Sequence, residues 1–141
     1  MKIVPFHPQH LEALILQPSQ SLLAGYFKEG YGEALVKGGP SFTGVDDDGN
    51  VVGCSGVVEQ WENRAIAWAL LSDWSGKHFV KIHKAVKRFL DSTDYRRIEA
   101  FVDAEFEQGH RWVNMLGFER EGYMRAFNPD GRDAVLYARI R

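Results

Sequence analysis

The chain has one cysteine, Cys54, which excludes an intramolecular disulfide framework and a cysteine-based metal cluster. A sequence without disulfides fits a reducing compartment, so we expect a cytoplasmic protein. Apolar runs near the roughly 20 residues of a membrane span are missing, and so is the pattern of a signal peptide. These features predict a soluble protein without a membrane partner.

A strong excess of charge of either sign is also missing. The formal net charge is −2, which gives no general attraction to nucleic acid or to an anionic membrane. Five basic residues do fall within 77–88, but apolar residues at helical spacing interrupt them. The pattern therefore favours an amphipathic helix over a nucleic-acid-binding surface, and we expect no nucleic-acid partner.

The amount of apolar sequence bounds the number of domains. A chain of 141 residues that is 45% hydrophobic can bury one substantial core and is short for two. Because the sequence also contains no linker, repeat or low-complexity tract, we predict one domain over residues 1–141.

The second half of the chain alternates strands and helices. Strand-like runs at Ala65–Leu71 and Arg97–Asp103 are each followed by a helical pattern, at Ser75–Asp91 and Gln108–Gly117. Such alternation is typical of parallel central strands, whose ligands bind at the carboxyl ends of the strands. The segment between Leu71 and Phe79 lies at such a point, and we expect a bound anion there.

The remaining elements are mainly hairpins. Met1–Phe6 reads as a first strand, and the apolar spacing of Leu11, Leu14 and Ile15 indicates a helix after it. A second helical region is predicted over Ser21–Phe27 and Glu33–Val36, interrupted by glycines. Two hairpins are predicted, Ser41–Val45 with Val51–Val58 and Tyr123–Phe127 with Ala134–Ile140, while Arg64–Leu71 returns antiparallel after a turn at Glu62-Asn63. The predicted fold is a mixed α/β sheet in the order β-α-α-β-β-β-α-β-α-β-β.

Two motifs and this order carry a family resemblance. They are Asp48-Gly49-Asn50-Val51-Val52-Gly53 at the first hairpin and Leu116-Gly117-Phe118 after the last helix. With the strand order, they resemble the GNAT superfamily of N-acetyltransferases over nearly the whole chain. The turn Trp74-Ser75-Gly76-Lys77 further resembles small acetyltransferase-like proteins of phages and prophages.

The resemblance implies an acyl-coenzyme A (CoA) site, with acetyl-CoA or another acyl-CoA as the cofactor. In the superfamily, the strand before the phosphate loop splays from its neighbour, and its backbone binds the pantetheine arm. The corresponding strand end here is Ala69, Leu70 and Leu71. The superfamily's phosphate loop, Arg/Gln-x-x-Gly-x-Gly/Ala, corresponds to Ser75, His78 and Val80, so both later glycines are replaced.

Other residues can still bind an anion at this loop. Small residues in such loops let backbone N–H groups approach a pyrophosphate, and here only Gly76 keeps that freedom. Lys77, His78 and Lys81 supply positive charge instead. The phosphate-binding residues are therefore predicted to be Ser75, Gly76, Lys77, His78 and Lys81. The alternative is an ordinary amphipathic helix with solvated lysines.

Catalysis of amine acylation needs a base. The superfamily's usual tyrosine acid corresponds to Val113 and is missing, while His110 and Tyr123 are weaker neighbouring candidates for it. Carboxylates near strand ends, Glu59 and Asp103, are the candidate bases. No metal site is predicted, because the acidic run Asp46-Asp47-Asp48 is typical of a solvated turn.

Two functions remain open at this stage. The first is an acyl-CoA-dependent N-acyltransferase that acetylates a small-molecule or protein amine by direct transfer. The second is a non-catalytic structural or partner-binding protein, as in a phage particle, that keeps the fold with a decayed cofactor loop. The sequence does not identify the acceptor, the acyl chain or the oligomeric state, and fold analogy alone does not decide between the two functions.

Overall fold

The structure is a computed structural model that describes residues 1–16, 20, 27–73 and 75–141. The strands are β1 (Lys2–Pro5), β2 (Ser41–Val45), β3 (Val51–Trp61), β4 (Arg64–Leu71), β5 (Arg97–Asp103), β6 (Glu119–Met124) and β7 (Ala134–Ile140). The helices are α1 (Gln9–Ala13), α2 (Tyr31–Gly38), α3 (Phe79–Ser92) and α4 (Glu107–Met115), with a 3-10 turn, Ser75–His78, directly before α3. This element order confirms the predicted one.

The strands form one mixed sheet of seven strands in the order β1-β2-β3-β4-β5-β7-β6. Only β4 and β5, among the pairs of the described strands, are parallel, and α3 provides the crossover between them. Since parallel strands run in the same direction, the carboxyl ends of β4 and β5 lie at the same edge of the sheet.

The two faces of the sheet bury different clusters. Alternate residues of β4 point to opposite faces: Ala67 packs with residues of α3 and α4, while Trp68 packs with residues of α1 and α2. The larger cluster includes Leu90 of α3, Val113 of α4 and Ile98 of β5, all nearly fully buried. The apolar stripe predicted for the helix at 77–88 therefore does face the core, and so do the apolar residues of α4. None of the described helices is long and apolar enough to cross a membrane.

The Leu-Gly-Phe motif closes α4 for a local reason. Gly117 has a φ of +93°, the left-handed conformation that glycine adopts without strain. This turn brings the Phe118 N–H within 2.9 Å of the Val113 carbonyl oxygen and buries Leu116 and Phe118, which are 4% and 3% exposed. The motif thus ends the helix and anchors the chain to the core before β6.

Most predicted strand limits agree with the structure, and one hairpin strand does not. β2, β5 and β7 have the predicted limits. β4 matches the longer of its two predicted ranges, Arg64–Leu71, and β3 continues three residues beyond Val58 to Trp61. The prediction Tyr123–Phe127 was wrong, because β6 begins at Glu119 and ends at Met124. Ala126 leaves the ladder with a φ of +51°, and its N–H donates to Asp133 Oδ1 at 2.7 Å.

The predicted helices differ at both ends. α1 ends at Ala13, before the predicted Leu14 and Ile15, and α4 ends at Met115, before the predicted Gly117. Ser75 lies in the 3-10 turn, and α3 itself begins at Phe79. In the first half, α2 includes the predicted Glu33–Val36 and is longer at both ends. The prediction for Ser21–Phe27 concerns residues 21–26, which lie outside the described residues, and Phe27, which is not helical.

Candidate acyl-carrier cleft

The central parallel strands separate soon after they pair. β4 and β5 are in register only at Arg64–Arg97, Ala65–Ile98 and Ile66–Glu99, and their pairing stops there. The Ser72 N–H donates to the Val52 oxygen of β3, so the backbone groups of Ala69 and Leu71 point away from β3, toward the gap. This splayed β4 edge, residues 67–71, confirms the predicted divergence of the central pair.

A charge network closes the narrow end of this gap. The carboxylate of Glu99 is 4% exposed and accepts hydrogen bonds from Arg64 Nε at 2.5 Å, Arg64 Nη2 at 2.8 Å and Arg97 Nε at 2.7 Å. Arg97 also donates to both oxygens of Glu121 on β6. The hydrogen bonds from Arg64, followed by those from Arg97, lower the pKa of Glu99 from 4.5 to about 2. The carboxylate therefore stays ionised at neutral pH and ties β4 to β5 where they diverge.

An apolar cavity of about 300 Å³ adjoins the splayed β4 edge. Its walls come from β4, β5, α3 and α4, and its lining residues include Ala67, Ala69, Phe101, Ile82, Val86 and Trp112. The small side chains of Ala67 and Ala69 leave the β4 backbone within reach of a ligand. A slender apolar ligand that needs backbone hydrogen bonds along one side would fit this space.

One side chain already uses the predicted hydrogen-bonding groups of the edge. The Gln20 carboxamide donates from Nε2 to the Ala69 oxygen at 2.9 Å, and its Oε1 accepts from the Leu71 N–H at 2.9 Å. This contact could not be predicted from the sequence, because the two partners lie 49 and 51 positions from Gln20. Of the predicted backbone contacts, Ala69 and Leu71 face the gap, whereas Leu70 is 5% exposed and pairs with Cys54 of β3.

The predicted anion-binding residues lie together at the carboxyl end of β4. Ser75 is 6% exposed within the 3-10 turn, its neighbours Gly76 and Lys77 are exposed, and His78 precedes α3 without capping it through a side-chain hydrogen bond. A Cβ atom added to Gly76 would meet nothing within 4 Å, so the space above the turn is open. Lys81 is exposed on the first turn of α3, and Val80 is 64% exposed beside it. The structure thus places Gly76, Lys77 and Lys81 on an accessible surface, with Ser75 buried beneath it.

Asp103 lies where the sequence placed it, at the carboxyl end of β5, and it lines the cavity. Its Oδ1 accepts from Arg132 Nη2 at 3.0 Å and from the Glu105 N–H at 2.9 Å, while Oδ2 lies 3.4 Å from Asn128 Nδ2. The side chain is 22% exposed, so it keeps contact with solvent. Asp103 is therefore a carboxylate held in position at the wide end of the gap.

Glu59 lies elsewhere in the sheet. It is paired with Ala65 of β4, on the side of the closed end of the gap, and it is exposed. Burial and the adjacent Glu59 carboxylate raise the pKa of Tyr95, which places Glu59 next to the segment after α3. Ala69 lies four residues beyond Ala65 along β4, which is about 13 Å at the rise of a strand. The structure does not bring Glu59 and Asp103 together, and only Asp103 lines the cavity.

The neighbouring candidates for a proton donor are occupied by structural contacts. His110 Nδ1 is 2.7 Å from the Tyr137 hydroxyl and Nε2 is 3.0 Å from the Ala104 oxygen, so the neutral tautomer with the proton on Nε2 satisfies both partners. The Tyr123 hydroxyl, on the edge strand β6, donates to Asp133 Oδ2 at 2.6 Å, and this bond raises its pKa. Val113 is 8% exposed within the core.

Two other sequence features have structural roles. Cys54 is 1% exposed, and burial raises the pKa of its thiol to about 11, so its side chain is part of the core. In the acidic turn, Asp46 Oδ1 accepts from the Asp48 and Asn50 N–H groups at 2.9 and 2.8 Å. That carboxylate therefore shapes the hairpin turn, as expected.

Comparisons with known proteins give matches only at the level of structure. No protein-family model and no curated protein matches the sequence. The chain is similar to a protein described as a phosphinothricin N-acetyltransferase, with a TM-score of 0.76, 15% identity, and 99% and 97% of the two chains covered. It is also similar to a GNAT-family acetyltransferase from Bacillus anthracis, with a TM-score of 0.68, 20% identity, and 98% and 93% covered.

A third similar structure is the ribosomal-protein-S5-alanine acetyltransferase from Vibrio fischeri, with a TM-score of 0.69, 15% identity, and 98% and 91% of the two chains covered. All three likenesses extend over nearly the full length of both chains, while their identities are low. They therefore establish the architecture and leave the chemistry to the site. This chain has the fold of the GNAT acetyltransferases.

Proposed function

We propose that the protein is an acyl-CoA-dependent N-acyltransferase that transfers an acyl group, with acetyl as the reference case, directly to an amine. The observation that carries the proposal is the splayed β4 edge with the apolar cavity beside it. In this arrangement an apolar channel near Ala67, the backbone edge at Ala69 and Leu71, and a cationic turn follow one another along β4. An acyl-CoA presents an apolar thioester end, an amide-containing arm and phosphates in that order.

The anionic end of the carrier would bind at Ser75–Lys81. Lys77 and Lys81 are exposed there and supply charge in place of the missing loop glycines. The amide-containing arm would follow the β4 edge, where Ala69 and Leu71 present backbone groups toward the gap. The thioester would then lie between β4 and β5, near Ala67 and Asp103.

The chemistry needs one proton acceptor and a site for negative charge. The amine nitrogen attacks the thioester carbonyl carbon, the C–N bond forms, the C–S bond breaks, and the sulfur leaves as thiolate. Asp103 would accept the amine proton, directly or through water, since it is the candidate carboxylate that lines the cavity. Backbone N–H groups of the splayed edge would stabilise the charge that develops on the carbonyl oxygen. Water can protonate the departing thiolate, because a thiol pKa of about 8.5 makes it a fair leaving group near neutral pH.

The acceptor is proposed only as a class, a small-molecule or protein amine. The names of the similar structures point to different acceptors, phosphinothricin in one and the alanine of ribosomal protein S5 in another. A shared fold at this identity does not carry one of those acceptors to this chain.

The proposal is tested by the release of free thiol from acetyl-CoA in the presence of candidate acceptors. The panel contains polyamines, amino acids, aminoglycosides and peptides with free amino termini. We expect at least one amine class to raise thiol release above the rate of hydrolysis. We expect this stimulation to be lost in Ala67→Trp, where the larger side chain blocks the β4–β5 gap. Ile140→Trp, which adds a tryptophan at an exposed position of β7 beside the closed end of the gap, is the control for general damage to the fold. Release that no amine stimulates would contradict the catalytic function.

A non-catalytic role is the second candidate, and specific residues favour it. Ser75, His78 and Val80 replace the loop residues of the superfamily, Val113 replaces its tyrosine, and Gln20 fills part of the β4 edge. A structural or partner-binding protein, such as a phage particle component, would need none of the missing groups. Such a protein would bind neither acetyl-CoA nor CoA.

A further inference from the structure

Gln20 imitates the contacts of a ligand on the β4 edge. Its carboxamide donates to the Ala69 oxygen and accepts from the Leu71 N–H, both at 2.9 Å. The carboxamide thus hydrogen-bonds to two strand residues that are two positions apart. An added strand makes the same pair of bonds at the open edge of a sheet. The side chain therefore satisfies two backbone groups that the divergence of β4 and β5 leaves without a strand partner.

Neighbouring backbone contacts bring this part of the chain to β4. The Asp73 N–H donates to the Ile15 oxygen at 3.0 Å, and Leu16 forms an antiparallel bridge with Ser72. Residues 15 and 16 thus lie beside the carboxyl end of β4, which is followed by the 3-10 turn with the exposed Lys77.

The pantetheine arm of an acyl carrier contains secondary amides, each with one donor and one acceptor. A trans secondary amide points its N–H and its C=O in opposite directions, so the N–H of one arm amide and the C=O of another would take the two backbone groups that the single Gln20 carboxamide uses. We propose that Gln20 is an affinity-determining residue, an internal competitor of the carrier's amides for the Ala69 oxygen and the Leu71 N–H. This inference rests on the proposed function, because it assumes that the β4 edge receives an acyl carrier.

The competition has a direction and a size. Binding of the carrier must break both Gln20 hydrogen bonds, and each such bond contributes a modest net amount because water replaces it. Removal of the carboxamide by Gln20→Ala frees the edge in advance, so we expect roughly tenfold tighter binding of the carrier. Gln20→Glu keeps the length of the side chain but lacks the N–H donor to the Ala69 oxygen, and we expect a smaller gain in affinity.

A second glutamine provides the matched control. Gln60 is exposed, and its Nε2 donates only to a near neighbour, the Val58 oxygen at 3.2 Å. Gln60→Ala removes the same chemical group on the side of the closed end of the gap. It should leave carrier binding unchanged.

The test is a titration of wild type, Gln20→Ala, Gln20→Glu and Gln60→Ala with S-acetylpantetheine and with acetyl-CoA. S-acetylpantetheine lacks the nucleotide and its phosphates, so its affinity reports the edge without the cationic turn. A gain in affinity for both probes in Gln20→Ala, with none in Gln60→Ala, supports the inference. Hydrogen exchange at the Leu71 amide, measured without ligand, should be faster in Gln20→Ala than in wild type.

The outcomes separate the inference from the proposed function. If the wild type binds the carrier and Gln20→Ala binds it equally or more weakly, the competitor role is overturned and the proposed function still stands. Binding by Gln20→Ala alone supports the competitor role and shows that the wild-type chain holds its edge closed to the carrier. If neither protein binds either probe, the inference is overturned together with the function it rests on. Should Gln20→Ala fail to fold, Gln20→Glu gives the same comparison.

Discussion

Replacement of Glu99 by glutamine tests the charge network that ties β4 to β5 where they diverge. The neutral amide keeps the size of the side chain and removes the charge that two arginines share. Arg64 and Arg97 would then remain next to each other without their common partner, and their side chains are 25% and 29% exposed. Breaking a buried ion pair by removing one partner is strongly destabilising, because the remaining charge is uncompensated.

The size of the effect follows from the pKa of Glu99. A shift from 4.5 to about 2 corresponds to about 3 kcal/mol of folding free energy at neutral pH. Because the folded-state pKa is lower than the unfolded one, this contribution is present above pH 4.5 and is lost as the pH falls toward 2. The difference in stability between wild type and Glu99→Gln should therefore be largest at neutral pH and shrink across that acidic range.

Urea unfolding at pH 7 and at several lower pH values, followed by tryptophan fluorescence, measures this difference. We expect Glu99→Gln to unfold at lower urea with a similar slope, since the surface exposed on unfolding changes little. Glu121→Gln is the matched control, because Glu121 bonds the same Arg97 from an exposed position, and it should have a much smaller effect. A difference for Glu99→Gln below about 1 kcal/mol at pH 7, or one that does not change with pH, would refute the reasoning.

Three further predictions concern the cleft and the core. The double change Lys77→Ala with Lys81→Ala should weaken acetyl-CoA binding in a salt-dependent manner and leave the melting temperature unchanged. Lys84→Ala, which removes an exposed lysine further along α3, should change neither the affinity nor the melting temperature. Loss of stability without loss of affinity in the double variant would place the anion site elsewhere. If turnover is found, Asp103→Asn should slow it by about tenfold or more with binding retained, and Glu59→Gln should not; equal rates in Asp103→Asn and wild type would exclude Asp103 as the base. The Cys54 thiol, with its pKa raised to about 11, should resist iodoacetamide at pH 8 in the folded protein and react in urea, and fast labelling of the folded protein would contradict its burial.

The sequence predicted the order of elements because local signals mark each of them. β4, β5 and β7 have clear runs of β-forming residues, and turn-forming residues bound the first hairpin at Asp46. The limits of β6 were missed, because the deviation at Ala126 depends on the Asp133 side chain, a contact across the turn that residue propensity does not contain.

The site was predicted in part for the same reason. Asp103 and the Ser75–Lys81 turn follow from the rule that strand ends carry binding residues, and that rule needs only the order of elements. Glu59 was proposed from its closeness to a turn, but the turn that it adjoins is at the closed end of the gap. Gln20 and the Glu99 network depend on contacts between distant parts of the chain, and a single sequence gives no signal for such pairs.

Calorimetric titration of the wild-type protein with acetyl-CoA tests the central claim most directly. Our account predicts saturable binding at one site per chain, and the affinity should fall as the salt concentration rises. Binding should also raise the melting temperature, because a ligand at a hundredfold excess over its dissociation constant adds about 2.7 kcal/mol of stability. The absence of binding heat and an unchanged melting temperature at millimolar acetyl-CoA would contradict the account and favour the non-catalytic role.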